Sequence, residues 1–159
     1  MKKFLHLLFM FACTNCFAQT DSALVKFNNP PSVPPANGYS QSAEINLGNC
    51  KMLIISGQVA LNSKGELVGA GNMRKQADQV FKNIRSIVDQ AGGSLSDLVK
   101  ISFFVTDLSQ LKSIREVRNE YINLKNPPAS TLIQVKSLFR DDLMIEIEAT
   151  AILPLRNNH

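Results

Sequence analysis

Between Asn72 and Gly92 apolar side chains recur at three- and four-residue steps: Ala77, Val80, Phe81, Ile84, Ile87, Val88 and Ala91. This 3.6-residue stripe predicts an amphipathic helix, capped by Asn72, running to about Gln90 and stopped by Gly92-Gly93. A second stripe, Leu111, Ile114, Val117, Tyr121 and Leu124, predicts a helix from about Ser109 to Leu124, ended by Pro127-Pro128. Elsewhere the period is two. "YSQSAEINLG" and "CKMLIISGQVAL" read as paired strands around a Gly48-Asn49 turn. "NSKGELVG" is a loop, and "DLVKISFFVTD" is a strand with Ile101, Phe103 and Val105 on one face. The last two strands are "STLIQVKSL" and "LMIEIEATAIL". In "PPASTLIQV" the alternation puts Ala129, Thr131, Ile133 and Val135 on one face, and Ser130, Leu132 and Gln134 on the other.

A short strand at 24–28 lies in a polar, proline-rich lead-in, residues 19–37, where Pro30-Pro31 and Pro34-Pro35 fix an extended path. The order β-β-β-α-β-α-β-β predicts an α+β domain over 38–155, with both helices on one face of a mixed sheet. The opposite face carries Met144, Glu146, Glu148, Thr150 and Ile152. That mixture is too apolar for open water and too charged for a sealed core. It suits an interface between copies of the chain that encloses a wet cleft.

Composition adds the boundaries. A chain of 159 residues, 45% hydrophobic and 19% charged, fits one ordinary domain. "MKKFLHLLFMFACTNCFAQT" has a basic start, an apolar run and a small-x-small exit, the pattern of a signal peptide over residues 1–18 with cleavage after Ala18. The expectation is a periplasmic or secreted protein with no membrane attachment after cleavage. A lipoprotein would need a leucine three residues before its cysteine, and neither Cys13 nor Cys16 has one. Cleavage leaves Cys50 as the sole thiol, so no intrachain disulfide forms. It also removes Lys2 and Lys3, leaving 15 basic against 13 acidic residues and a net charge of +2. The remaining bases are scattered, which argues against a nucleic-acid partner.

The chemistry is narrowed by what is missing. The two histidines are His6, in the signal, and His159, the last residue, so Ser-His, Cys-His and zinc sites lack their imidazoles. "GAGNMRK" lacks the spacing of a phosphate loop. No cofactor is expected. Carboxylates, arginines, hydroxyls and backbone remain. Glu146 and Glu148 share a strand face, and a cleft there would raise a carboxyl pKa toward acid–base work. The competing reading is a pair of interface or solvent-facing charges. Arg115 and Arg118 likewise read as a solvated helix face or as cleft cations.

"GYSQSAEI", "MLIISGQVALNSKGELV", "QADQVFKNIRSIVDQAGGSLSDLVKISFFVTDLSQL", "PPASTLIQV" and "IEIEATAIL" fall in order and at the spacings of a known family. Over roughly residues 24–153 the chain resembles the Rid (reactive intermediate deaminase) family, also called endoribonuclease L-PSP-like. The resemblance implies a chorismate-mutase-like α+β fold and a homotrimer with clefts between subunits. For active members it implies hydrolysis of 2-imino or enamine acids to 2-keto acids and ammonia. It also implies substrate-binding roles for Tyr39, Ser56, Gly57, Thr131 and Leu132, and a catalytic role for Glu146. Deaminating members carry Pro-Ala-Arg-Ser where this chain has Pro128-Ala129-Ser130-Thr131, so Ser130 takes the place of the arginine that grips the substrate carboxylate. Leu132 replaces a cysteine, and Arg115 replaces a helix asparagine. "FRDD" is about one residue longer than the family's turn before the last strand.

Two classes of function follow. One is an exported homotrimer that binds a small polar or carboxylate-bearing ligand without catalysis, since serine donates only one neutral hydrogen bond. The other is an imine or enamine deaminase in which Glu146 positions water and Arg115 replaces the missing arginine. A ribonuclease is suggested only by the family's older name, against the low charge.

Overall fold

The alternations and stripes become one sheet and two helices in the computed structural model, which describes residues 24–155. The expected signal peptide, Cys13, Cys16 and His159 lie outside the described residues. The elements are β1 (Val25–Asn28), β2 (Ser42–Asn46), β3 (Cys50–Val59), α1 (Met73–Gln90), β4 (Leu98–Val105), α2 (Leu111–Tyr121), β5 (Ala129–Gln134) and β6 (Ile145–Pro154). The sheet order is β1-β2-β3-β6-β4-β5. Every pairing is antiparallel except β4 with β5, so the sheet is mixed as the pattern predicts.

Local chemistry sets the ends of α1. The Asn72 side chain accepts from the Lys75 N–H at 3.0 Å. Gly92 takes φ of 88°, a left-handed conformation that ends the helix at little cost for glycine and a higher one for other residues. The α1 stripe packs on the odd-numbered residues of β6, Ile145 through Leu153, and on Leu53 and Ile55 of β3. Phe81 stacks on Tyr121 of α2 with centroids 5.0 Å apart, and lies 6.3 Å from Phe103 of β4. Burying each such side chain contributes about 1.5–3 kcal/mol, so the stripe dominates the stability of this layer.

Two amides interrupt that apolar seam. Asn83 Nδ2 donates to the carbonyls of Val59 (3.1 Å) and Leu61 (3.0 Å), just where β3 ends. Gln76 Nε2 donates to Asp142 O at 2.8 Å, while its Oε1 accepts from Met144 N–H at 2.8 Å, just before β6 begins. Both side chains are buried. They tie the helix to the two strands that will carry the site.

The second helix departs from the expected span. A 3₁₀ turn at Leu108–Gln110 precedes it, and it closes at Tyr121 instead of Leu124. Ile122 is extended, and the Asn123 carboxamide accepts from the backbone N–H of Lys125, a local turn that competes with the helix. Leu124 is therefore exposed and leaves the stripe. The last two strands are also shorter than expected, with residues 135–144 joining them.

The face away from the helices stays largely uncovered in a single chain. Phe27, Ile54 (45% exposed) and Ile133 (49%) stand on it with Glu148. The face thus mixes exposed apolar side chains with a carboxylate, as the alternation of β6 predicts.

Candidate functional site

Pairing between β3 and β6 slips near its end. Ile55 lies opposite Ala149, but Gln58 lies opposite Ile147, so three steps on β3 span two on β6 and Ser56-Gly57 forms a bulge. Glu146, on β6, folds over that bulge. A Cβ on Gly57 would stand 1.8 Å from Glu146 Oε1 and 2.7 Å from its carboxyl carbon. Only a glycine leaves the carboxylate this place.

The carboxylate lines a pocket of about 550 Å³, shared with Pro34, Pro35, Tyr39, Ser56 and Phe139. Burial, and to a lesser degree the charge of Glu148, raise the Glu146 pKa above its ordinary value. Among the described residues, no side chain or backbone group donates a hydrogen bond to it. Around it the polar groups are mutually bonded. Ser56 Oγ donates to Ser40 O at 2.7 Å. Gln58 Nε2 donates to Gln41 Oε1 (2.7 Å) and Ser56 O (3.0 Å). Gln41 Nε2 donates to Pro34 O at 2.6 Å, which holds the proline lead-in against the sheet.

A second cavity of about 330 Å³ opens between α2 and β5. It is lined by Phe103, Leu111, Ile114, Arg115, Arg118, Ser130 and Leu132. A further cavity of about 330 Å³ shares Arg118 and Ser130 and continues to Pro127-Pro128. No carboxylate lines either space. Arg118 donates to Asn119 Oδ1 from Nε (3.1 Å) and Nη2 (2.9 Å).

The expected site residues thus fall into two groups. Tyr39, Ser56, Gly57 and Glu146 meet in the first pocket, and Arg115, Ser130 and Leu132 in the second. Thr131 joins neither, since it accepts from Lys100 Nζ on the helix-free face. Register explains the separation. Ser130 pairs with Ile101, whose side chain is in the helix-side core, whereas Glu146 pairs with Phe104, on the opposite face of β4. One strand and the thickness of the sheet separate the two groups.

Sequence reasoning missed Gln41, Pro34, Pro35 and Phe139 in the pocket. A Ser-Gly step inside a strand is a bulge signal and marks Gly57. Phe139, a lone aromatic in a charged loop, gives no periodicity. Among the described residues, no three His, Cys, Asp or Glu side chains group closely enough to hold a metal ion.

The model of the family Endoribonuclease L-PSP matches residues 30–153. A RutC family protein of Pyrococcus abyssi is 35% identical over 118 residues, covering 74% of this chain and 87% of that protein. A 2-iminobutanoate/2-iminopropanoate deaminase of Dermatophagoides farinae is 28% identical over 126 residues, covering 79% and 94%. Among solved structures, RidA from Psychrobacter sp. PAMC 21119 aligns with TM-score 0.71 and 33% identity, over 80% of this chain and 99% of that one. TdcF of E. coli with bound serine aligns with TM-score 0.68 and 31% identity, over 80% and 98%. With the family model spanning nearly all of the described sheet and helices, the chain belongs to the endoribonuclease L-PSP family, the group also called Rid.

Proposed function

We propose that this protein is an exported homotrimeric deaminase of 2-imino or enamine acids, with its active clefts between subunits. The observation that carries this is Glu146: a half-buried carboxylate with a raised pKa, given its place by a bare glycine and facing a pocket. A carboxyl whose pKa is raised by burial and that no donor pairs is suited to taking up and releasing protons.

The chemistry needs little else. Water attacks the imine carbon while Glu146 accepts one of its protons. Glu146 passes that proton to the imine nitrogen, completing a carbinolamine. It then takes the carbinolamine's hydroxyl proton and delivers it to the amino nitrogen, so that ammonia leaves as the C–N bond breaks and the carbonyl forms. The substrate carboxylate needs a cation. The strand position for it holds Ser130, but Arg115 lines the same cavity as Ser130 and Leu132, with no acidic residue to neutralise it. In this reading the grip has moved from the strand to the helix. Because the Arg115 cavity and the Glu146 pocket lie on opposite faces of one sheet, a substrate reaches both only where two subunits meet. Strand β5 is the last of the sheet, so the Arg115 cavity opens at a sheet edge, and a trimer in which that edge of one subunit abuts the Glu146 pocket of the next supplies that meeting.

The test joins mass and turnover. Light scattering of the mature protein at micromolar concentration is expected to give three times the monomer mass. A 2-imino acid generated in situ by an amino-acid oxidase is expected to lose ammonia faster than in buffer, and Glu146→Gln to slow this about a hundredfold or more. A monomer, or no acceleration over buffer, refutes the reading. The replacement of the strand arginine by Ser130 favours a second reading, a trimer that binds a carboxylate-bearing ligand without turning it over.

A further inference from the structure

The Glu146 pocket also constrains the ligand's side chain, an inference that rests on the cleft assigned above. Its volume of about 550 Å³ lies within the roughly 300–1,000 Å³ of sites that enclose drug-sized molecules. A three- or four-carbon imino acid would leave most of it unfilled.

The lining says what fills the rest. Three of its inner polar side chains are already engaged with the protein, Ser56 with Ser40 O, Gln58 with Gln41 and Ser56 O, and Gln41 with Pro34 O, while Asn37 and the Tyr39 hydroxyl stand at the exposed rim. A polar ligand group seated in the inner part of the pocket would have to break these buried bonds to make its own. Carbon faces the space instead. Pro34, Pro35 and Leu61 line it, together with two exposed rings, Tyr39 (51%) and Phe139 (69%). Phe139 opens the "FRDD" stretch, in the loop that leads into β6.

We propose that the ligand of this pocket is a 2-imino or 2-keto acid with an aromatic or similarly large apolar side chain, seated among Tyr39, Phe139 and the Pro34-Pro35 segment. The side chain displaces water from the two rings, while the reacting carbon stays at Glu146.

Binding of the keto acid products separates this from catalysis. By titration calorimetry, phenylpyruvate is expected to bind at least about tenfold more tightly than pyruvate, the difference that burying one ring supplies. Phe139→Ala is expected to bring that ratio toward one. Phe139 is exposed on a loop, and an unchanged thermal transition confirms that the variant is folded. In Glu146→Gln the preference is expected to persist although turnover is lost. A wild type that prefers phenylpyruvate yet hydrolyses no imine therefore upholds the side-chain inference while refuting the deaminase. Equal affinities, tighter binding of pyruvate, or binding of neither acid overturns it.

Discussion

Gly57→Ala separates the site from the fold more cleanly than removal of the carboxylate does. The added Cβ would lie 1.8 Å from Glu146 Oε1, and ordinary contact begins at 3.4 Å, so the oxygen must retreat by at least the difference, 1.6 Å. The backbone at residue 57 is not in the left-handed region, so alanine meets no backbone strain there. The atom in the way is the far end of a flexible side chain, and turning it off its rotamer costs about 0.5–1.5 kcal/mol. Replacing a strand glycine returns roughly 0.5–1 kcal/mol, so net stability should move by less than about 1 kcal/mol. Catalysis should not be so tolerant. A misplacement of about 1 Å is enough to lower a rate roughly a hundredfold. The assay pairs denaturant unfolding with kcat/KM for an imino acid generated in situ. The expected outcome is a near-native midpoint with kcat/KM reduced about a hundredfold, mostly in kcat. A folded variant with undiminished kcat/KM would show that the position of Glu146 over Gly57 has no role in the chemistry. A loss above about 3 kcal/mol would show that the glycine serves packing instead.

Other outcomes follow from the same geometry. Arg115→Ala is expected to weaken binding of carboxylate-bearing ligands about tenfold to a hundredfold, as loss of a charge-assisted contact does; unchanged affinity by calorimetry would assign the grip elsewhere. Glu146 has a folded-state pKa above its unfolded value, so the unfolded chain releases its proton first and stability falls as pH rises through the window above 4.5. Glu146→Gln should therefore be more stable than wild type at pH 8, with the gap closing toward pH 4; unfolding curves in which wild type is the more stable at pH 8 contradict this. Asn83→Ala strips two buried carbonyls of a donor and should cost about 2–3 kcal/mol by denaturant titration, and a cost under about 0.5 kcal/mol would mean that water replaces the amide.

Much of the fold was open to reading because its elements carry strong periods. The α1 stripe and the alternation of β6 name their own buried faces, and Asn72 and Gly92 name the ends of α1. Leu124 misled because it continues the α2 spacing, while the Asn123 turn that ends the helix acts through a side-chain bond that periodicity does not register. Gln76 and Asn83 fall outside the apolar stripe of α1, and only the third dimension shows the carbonyls they reach. The site was legible as a set of residue types, but not as two separate groups. Which face of β4 meets Ser130 depends on the parallel pairing of β4 with β5, a long-range choice with no local signature. The pocket's amide network and Phe139 were illegible for the same reason, since their partners lie far along the chain.

Gln76 and Asn83 also bear on how the pocket can move. They fasten the entry to β6 and the exit of β3 to α1, so the ground beneath Glu146 and Gly57 cannot fray as strand ends ordinarily do. Opening it would lift α1 and expose Val80, Phe81 and Ile84, at a cost close to that of unfolding the whole domain. The backbone amides there accordingly belong with the slowest to exchange with solvent. That leaves the loops that carry Tyr39 and Phe139 as the pocket walls free to shift, while the carboxylate keeps its bearing.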